Sequence, residues 1–350
     1  MNNKLARSFC VPYNGDIELV KQVASDFSDS VFEFYGTDDA FTSGRTASMV
    51  EPAPIQYVMR VLDGSGIRFN YLLNSIVLDD YLVKFKPSRQ HLAHLREIGV
   101  QTVTSSSPYF VNLLKSLGFE VSTSVMQHIR NDASLARHER LGYDRIILSE
   151  DEIRNVPLLR RLAASTELPL EILINNCCLK ECPFRLTHYN AEGSRRPDLP
   201  NEAQQHLTVF CKQCKDDWYL DATAFLSSSW IRPEDLPRYK EVGISLFKIT
   251  GRTIPSSSIL EMLRIYSHGW WDGSIWSYLK PFAKSESMYG IRDIDNSDLG
   301  TFFEFFYKKG CDGSCFRCDH CQHWAQKLVR TVPEHRSRLL LPKGAEGLAG

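Results

Sequence analysis

Residues 145–175 read RIILSEDEIRNVPLLRRLAASTELPLEILIN, and this stretch contains the repeating unit of the fold. Apolar, β-branched runs at Arg145–Ser149 and Leu168–Asn175 predict two strands, and Val156–Ala164 between them has the apolar spacing of a helix. A strand, a crossover helix and a second strand of these lengths predict a βαβ unit and therefore a parallel sheet.

The same alternation continues on both sides of this unit. Further strands are predicted at Leu5–Val11, Val31–Tyr35, Ile67–Asn74, Gln101–Ser105, Glu120–Val125, Trp218–Leu226 and Ile244–Thr250. Helical spacing is present at Ile17–Phe27, Ile55–Leu62, Leu92–Ile98, Tyr109–Leu117, Ala133–Leu141 and Ser257–Ser267. Eight or nine strands with crossover helices predict an α/β fold, a (β/α)8 TIM-like barrel that is distorted in places. A doubly wound open sheet is the alternative, but the chain has neither a G-x-G-x-x-G nor a P-loop motif to favour it.

Two departures from the alternation divide the chain. Residues 177–216 are rich in Cys, Arg, Pro and Asn, which predicts a Cys-rich insertion after the seventh strand. After residue 270 the sequence is dense in aromatic residues and then in cysteines. We therefore expect a barrel over residues 1–270, a C-terminal extension over 271–330 and a flexible tail over 331–350.

Composition and charge indicate where the protein is located and which classes of partner it binds. The chain has 350 residues, 43% of them hydrophobic, and a formal net charge of −1. This charge gives no global attraction to nucleic acid or to an anionic membrane, although it does not exclude RNA as a substrate. The N-terminal MNNKLARSFCVPYNG lacks the apolar segment of a signal peptide, and no apolar run approaches the ~18–20 residues of a membrane span. We expect a cytoplasmic protein without a membrane span.

Nine of the ten cysteines fall into two groups, which in a reducing compartment predict metal ligands rather than disulfides. The first group, in NNCCLKECPF and FCKQC, contains Cys177, Cys178, Cys182, Cys211 and Cys214. Four thiolates suit a [4Fe–4S] cluster or a structural zinc ion, and spacing alone does not separate the two. Because Cys177 and Cys178 are adjacent, we expect one ligand from the pair, and Cys178-x3-Cys182 favours Cys178. Both follow a predicted strand, which places them at the catalytic face of a barrel.

The second group is Cys311-x3-Cys315-x2-Cys318-x2-Cys321. Its first three cysteines match the spacing of radical S-adenosylmethionine enzymes. Those enzymes carry the motif near the start of a barrel, whereas only 29 residues follow Cys321 here, and Arg317 stands where an aromatic residue is usual. We expect a second [4Fe–4S] cluster for electron relay, with structural zinc as the alternative.

Motifs for hydrolysis are absent from the sequence, which has no H-E-x-x-H and no G-x-S-x-G. Among the ten histidines, His128 follows a predicted strand in VSTSVMQHIRND and is therefore a candidate catalytic residue at the barrel mouth. A hydrogen-bonded structural histidine is the alternative interpretation.

Four blocks of the sequence resemble peptidase family U32, the collagenase-like proteins. EVSTSVMQHIRNDASLARHERLGYDRIILSEDEI is similar to the central block of the family. SVFEFYGTDDAFTSGR, FNYLLN and AFLSSSWIRPEDLPRYKEVGISLFKITGR are similar to other blocks and occur in family order, over about residues 8–270. The sequence departs from the family pattern at two positions. Thr250 stands where the family has Glu, and Glu150 stands where the family has a basic residue. The 311–321 cysteine group also lies outside the core pattern.

The resemblance implies an activity that the family name does not describe. The best understood members are oxygen-independent hydroxylases of ubiquinone precursors or of RNA bases. They carry a [4Fe–4S] cluster and take the oxygen atom from prephenate. The family's cluster ligands fall at Cys178, Cys182, Cys211 and Cys214 of this sequence, which favours iron–sulfur over zinc. Some relatives act as heteromeric pairs, so a related barrel protein is an expected partner.

These inferences lead to an iron–sulfur oxidoreductase that hydroxylates an aromatic or otherwise unreactive substrate. The substrate would be a small or carrier-bound molecule of a specialised biosynthetic pathway, with prephenate or a similar oxygen donor. Carboxylates of such a donor need cations, and Arg252, Lys248, Arg45 and Arg130 each lie at or just past a predicted strand end. A U32-type peptidase and a non-catalytic iron–sulfur subunit of a heteromeric enzyme are the alternatives.

Overall fold

The computed structural model describes residues 5–38, 42–43, 52–76, 85–193, 221–279 and 294–328. Within these residues, eight strands form one sheet in the order β5-β4-β3-β2-β1-β8-β7-β6, and all the neighbours that pair are parallel. The strands are Phe9–Pro12 (β1), Val31–Gly36 (β2), Arg68–Leu73 (β3), Thr102–Ser105 (β4), Glu120–Thr123 (β5), Ile146–Ile147 (β6), Leu170–Leu173 (β7) and Leu246–Lys248 (β8).

The two outermost strands, β5 and β6, meet and nearly close the sheet into a barrel. Isolated parallel bridges join Ser122 to Arg145 and Ile129 to Leu148. The Thr123 amide also donates to the Arg145 carbonyl at 3.0 Å. These contacts confirm the predicted (β/α)8 TIM-like barrel, distorted at this seam because β6 has only two ladder residues.

Helices surround the barrel and bury one face each. The α-helices among the described residues are Ile17–Asp26 (α1), Ile55–Leu62 (α2), Phe85–Glu97 (α3), Val111–Ser116 (α4), Asp132–Arg140 (α5), Val156–Ala164 (α6), Arg185–Gly193 (α7), Ala222–Ser227 (α8), Leu236–Glu241 (α9), Ser256–His268 (α10), Glu304–Lys308 (α11) and His320–Leu328 (α12). In α1, Asp16 accepts the Glu18 amide at 2.9 Å as the N-cap, and Leu19, Val20 and Val23 are buried. None of these helices combines the length and the apolarity that crossing a bilayer demands.

One predicted strand, Trp218–Leu226, is wrong over its described part, because residues 222–227 form helix α8. The Asp221 carboxylate accepts the Thr223 amide at 2.8 Å and caps the helix. Ala222, Phe225 and Leu226 are buried at helical spacing. A short apolar run is compatible with either structure, and here the capping residue decides in favour of the helix.

The aromatic part of the C-terminal extension packs onto the barrel. Trp230 lies with its ring centroid 5.4 Å from that of Phe303, and Phe302 contacts both Phe303 and Phe306. The extension continues the main core, because Phe302, Phe303 and Phe306 belong to the same buried cluster as the barrel strands. It carries the second cysteine group to the end of the barrel where strands terminate, since the Cys311 amide donates to the Arg154 carbonyl at 3.0 Å.

Candidate active site at the barrel mouth

A pocket of about 180 Å³ opens where the strands end. Seven of the eight strands contribute to it with one of their last two residues or with the residue that follows, which is where active sites lie in this fold. The lining includes the thiol-bearing Cys178 and the cations Lys248 and Arg252. The other lining residues are Tyr35, Leu72, Asn74, Thr104, Ser124, Val125, Met126, Ile147, Leu173, Asn176, Tyr189, Thr250, Gly251 and Thr253.

A hydrogen-bonded junction joins the loops after β7 and β8. The Asn175 Oδ1 accepts the Thr250 amide at 2.7 Å and the Thr250 hydroxyl at 2.9 Å. Asn175 also donates from Nδ2 to the Thr250 carbonyl at 3.1 Å. Because Cys178 follows Asn175 by three residues and Arg252 follows Thr250 by two, this junction brings the predicted thiol ligand and the predicted donor-binding cation to one pocket.

Beneath the pocket lies a group that we call the ionic layer, formed by Cys10, Glu33, Arg145, Glu171 and Lys248. Arg145 donates from Nη1 and Nη2 to the two Glu33 oxygens at 2.6 and 2.8 Å, and from Nη1 to Glu171 at 3.0 Å. Lys248 Nζ donates to Glu171 at 3.0 Å. Burial alone would raise the pKa of Glu33, but Arg145, Asn70 and Lys248 together outweigh it and lower that pKa. Burial raises the pKa of Cys10, with Glu171 and Glu33 adding to the effect.

The ionic layer is balanced in charge within itself. The ligand atoms of Cys10, Glu33 and Glu171 lie within 4.8 Å of one another, a spacing that a metal ion could use. Arg145 and Lys248 instead occupy these carboxylates, so two anions face two cations. This arrangement fits a rigid internal ion-pair network that supports Lys248 from below.

The cation Lys248 therefore has a fixed position in the pocket. Its Nζ lies 3.9 Å from the centroid of the Tyr35 ring, which adds a cation–π contact to the ion pair with Glu171. The Tyr35 hydroxyl in turn donates to the Ile249 carbonyl at 2.7 Å. Lys248 on β8 is thus held by Glu171 on β7 and by Tyr35 on β2. Because its side chain is already fixed, it loses little conformational entropy when a ligand binds in the pocket.

The rim of the pocket carries a second polar network. The Tyr189 hydroxyl donates to Glu150 Oε1 at 2.8 Å, and Arg185 forms a buried ion pair with Asp151, with an Nη2–Oδ1 distance of 2.9 Å. His128 stacks on Tyr189 with ring centroids 6.0 Å apart, and its backbone has a φ of 47°. Burial lowers the pKa of His128, and burial raises that of Tyr189, with Glu150 adding to the latter shift. His128 thus supports Tyr189 from behind and is not itself among the residues that line the pocket.

The two adjacent cysteines of the first group point to different environments. Cys177 is fully buried in the apolar core, and this burial raises the pKa of its thiol. Cys178 is partly exposed and faces the pocket, and Cys182 is partly exposed four residues later. Cys211, Cys214 and Arg45 lie outside the described residues. Arg130 forms ion pairs with Glu152 and Glu181.

The second cysteine group lines a separate cavity of about 620 Å³, which contains all four of Cys311, Cys315, Cys318 and Cys321. The first and last of these are partly buried, and the middle two are exposed. This cavity adjoins the loop of the first group, because a Cβ atom built on Gly313 would lie 3.7 Å from Lys180 Cε.

Sequence reasoning missed the ionic layer and the rim network. A signal for the ionic layer is present in the sequence, because Glu33 and Glu171 each interrupt an otherwise apolar predicted strand. A buried carboxylate in a strand requires a cationic partner, and Arg145 begins a neighbouring strand. The rim network gives no such signal, because Glu150 and Tyr189 are 39 residues apart, in a 3-10 turn after β6 and in helix α7.

The fold and the pocket define a (β/α)8 barrel protein with a candidate site at the carboxyl ends of the strands. Its sequence matches peptidase family U32 over residues 16–305, and the chain belongs to this family, which confirms the resemblance noted above. It is 25% identical over 342 residues to a protein of Methanocaldococcus jannaschii described as an uncharacterized protease, with 92% of this chain and 99% of that one covered.

A solved structure described as a U32 peptidase has the same fold. It superposes with a TM-score of 0.50 at 13% sequence identity, over 70% of this chain and 92% of the other. At this identity the likeness concerns the barrel alone. Both of these relatives are named as peptidases or proteases.

Proposed function

We propose that this protein is an iron–sulfur enzyme that hydroxylates an aromatic or otherwise unreactive substrate without O2. The observation that carries the proposal is the convergence of Cys178, Lys248 and Arg252 on one pocket at the barrel mouth. A thiol that can ligate a soft metal thus lies beside two cations that suit a carboxylate-bearing donor.

The residues around Cys178 suit a metal–thiolate cluster. Its amide donates to Asn176 Oδ1 at 3.3 Å, which fixes the start of the loop. Lys180 lies in the same loop, where its Nζ donates to the Asp151 carbonyl at 2.7 Å, and its positive charge favours an anionic centre. Cys178 and Cys182, together with Cys211 and Cys214, would hold a [4Fe–4S] cluster. When bound, such a cluster supplies electron transfer and an iron site for an oxygen donor.

The reaction that we propose moves an oxygen atom from a hydroxylated dicarboxylate, prephenate or a similar donor, to the substrate. A C–H bond of the substrate becomes C–OH while the C–O bond of the donor becomes C–H, so the exchange needs no net oxidant. The protein's own part is to bind and orient the donor. Arg252 offers a bidentate fork for one carboxylate, and Lys248 offers a fixed point charge for the other.

Arg252→Ala tests the role of the pocket. A hydrogen bond to a charged group contributes about 1.5–3 kcal/mol, so we expect prephenate to bind roughly 10- to 100-fold more weakly. The measurement is calorimetric titration of anaerobically purified protein, with iron and sulfide content as a check on the cluster. Arg264→Ala removes an exposed arginine from α10 and is the matched control. Unchanged donor affinity in the Arg252 variant, with intact iron content, would remove this residue from the site.

The names of the relatives support a second candidate, a U32-type peptidase. Ser124, Cys178 and the threonines Thr104, Thr250 and Thr253 offer hydroxyl or thiol nucleophiles in the pocket, but no histidine is among the described residues that line it. Incubating metal-stripped protein with denatured collagen and casein separates the two candidates. Cleavage that persists without metal and is lost in Cys178→Ala would support the peptidase and contradict the proposed hydroxylase.

A further inference from the structure

We propose that Cys311, Cys315, Cys318 and Cys321 form a second metal–thiolate centre, and that the buried guanidinium of Arg154 balances its negative charge. The centre would take zinc or an iron–sulfur cluster, both of which use four thiolates as ligands. The inference does not depend on the proposed function, because it concerns thiols and a cation outside the barrel-mouth pocket.

Local backbone structure gathers these thiols on one cavity. Gly310 has a φ of 76° and Gly313 a φ of 81°, so the chain turns sharply on either side of Cys311. A Cβ atom at Gly310 would lie 2.8 Å from Asn155 Oδ1, so glycine is needed for the turn to dock on the start of α6. A short 3-10 turn then holds Cys315, and α12 presents Cys321.

Arg154 is a buried cation without an anionic partner among the described residues. Its Nη2 and Nε donate to the Trp230 carbonyl at 2.9 and 3.3 Å, and its Nη1 donates to the Leu226 carbonyl. Four aromatic rings lie 4.8–5.3 Å from its Cζ, those of Trp230, Phe302, Phe303 and Phe306. Carbonyl dipoles and ring faces solvate the charge but do not neutralise it, and a buried charge is costly unless it is paired.

A metal ion or cluster bound by the four cysteines would place a negatively charged centre next to Arg154. The Cys321 Sγ is 3.9 Å from the Leu226 carbonyl oxygen, the same oxygen that accepts a hydrogen bond from Arg154. The Cys311 amide donates to the Arg154 carbonyl at 3.0 Å. Four thiolates around a zinc ion, or around a [4Fe–4S] core of charge +2, leave a net charge of −2. Such a centre would supply the anion that Arg154 lacks.

The first test measures metal in the full chain, purified anaerobically and reconstituted separately with zinc and with iron plus sulfide. Cys315→Ser/Cys318→Ser removes the two exposed thiols, and Ser314→Ala in the same loop is the matched control. We expect the double variant to lose one centre, either one zinc or about four irons with four sulfides, while the control keeps it. Equal metal and sulfide content in the double variant and the wild type would overturn the site.

The second test addresses Arg154 through the rate at which a chelator removes this centre. We expect Arg154→Met to release it roughly 10-fold faster or more, and Arg154→Lys to release it more slowly than Arg154→Met, because Lys keeps the charge. Equal release from wild type and Arg154→Met would overturn the charge role. If Arg154→Met does not fold, the Lys variant and Arg154→Gln provide the same comparison.

The two cysteine groups are distinguished by Cys178→Ser/Cys182→Ser. This variant is expected to keep the C-terminal centre and to lose only the cluster of the proposed function. A protein in which the C-terminal thiols bind metal and the barrel-mouth thiols bind none would contradict the proposed hydroxylase and leave the second centre standing.

Discussion

Arg145 and Arg154 are nine residues apart and both are buried, but different groups surround their positive charges. Arg145 is 4% exposed and faces two carboxylates, those of Glu33 and Glu171. Arg154 is 2% exposed and faces carbonyl oxygens and aromatic rings. The first arginine belongs to a closed, neutral network inside the barrel, whereas the second leaves a net positive charge near Cys311 and Cys321 of the C-terminal cysteine group.

The buried charge of Arg145 therefore has a structural role, whereas the contribution of Arg154 to stability depends on whether a metal centre is bound. A balanced network is complete in the protein alone, so its energy does not depend on what is bound. A buried cation whose counter-ion is supplied by a metal–thiolate centre ties local stability to metal occupancy. The two arginines therefore predict different responses to the same substitution.

The largest effect is expected for Arg145→Met, which keeps much of the side-chain volume and removes the charge. Glu33 and Glu171 would then share only Lys248, and an uncompensated buried charge costs about 3–5 kcal/mol. The free energy of unfolding in urea measures this loss. It should be the same in metal-loaded and metal-stripped protein.

A second substitution checks the cause of that loss. Glu33→Gln in the Arg145→Met background removes the orphaned carboxylate, so part of the stability should return. The Asn70 amide, which donates to Glu33 at 2.8 Å, would still find an acceptor in the Gln oxygen. No recovery in the double variant would show that lost packing rather than charge explains the cost of Arg145→Met.

An intermediate and metal-dependent effect is expected for Arg154→Met. In stripped protein the variant leaves the Leu226 and Trp230 carbonyls short of a donor but also removes a costly buried charge, so the net loss should be small. In loaded protein the anionic centre would lose its cation, which should add about 1–3 kcal/mol to the loss. Urea unfolding with and without metal measures the difference. Equal losses in both states would erase the contrast with Arg145.

The barrel itself was predictable because its strands and helices obey simple periods. The helices Ile55–Leu62 and Val156–Ala164 fall where their apolar spacing places them, and seven predicted strands overlap strands before α8. The error at α8 arose because a helix of six residues is too short to show the period that would distinguish it from a strand. There the Asp221 cap was the better signal.

The sequence predicts which site residues lie together only where the fold places strand ends next to one another. Strand ends of a barrel converge on one face, so Cys178, Lys248 and Arg252 could be assigned to one pocket from sequence. The partner of a buried charge cannot be found in this way. Arg145 and Glu33 are 112 residues apart, and the stacking of His128 on Tyr189 joins the turn after β5 to helix α7, which no pattern along the chain relates.

The smallest effect is expected from pH, and it distinguishes the same two arginines. The folded-state pKa of Glu33 is lowered, since Arg145, Asn70 and Lys248 together outweigh the opposing effect of burial. Below the ordinary carboxyl pKa of 4.5, the unfolded chain therefore binds this proton before the folded protein does. The stabilisation that ionised Glu33 contributes is complete above pH 4.5. It is lost as pH falls toward the lower folded-state pKa, at no more than about 1.4 kcal/mol per pH unit.

Glu33→Gln should flatten the curve of unfolding free energy against pH below pH 4.5, measured by urea unfolding. Arg154→Met should leave its slope unchanged, because no carboxylate among the described residues pairs with Arg154, and a changed slope would mean that its charge is balanced by an acidic group after all.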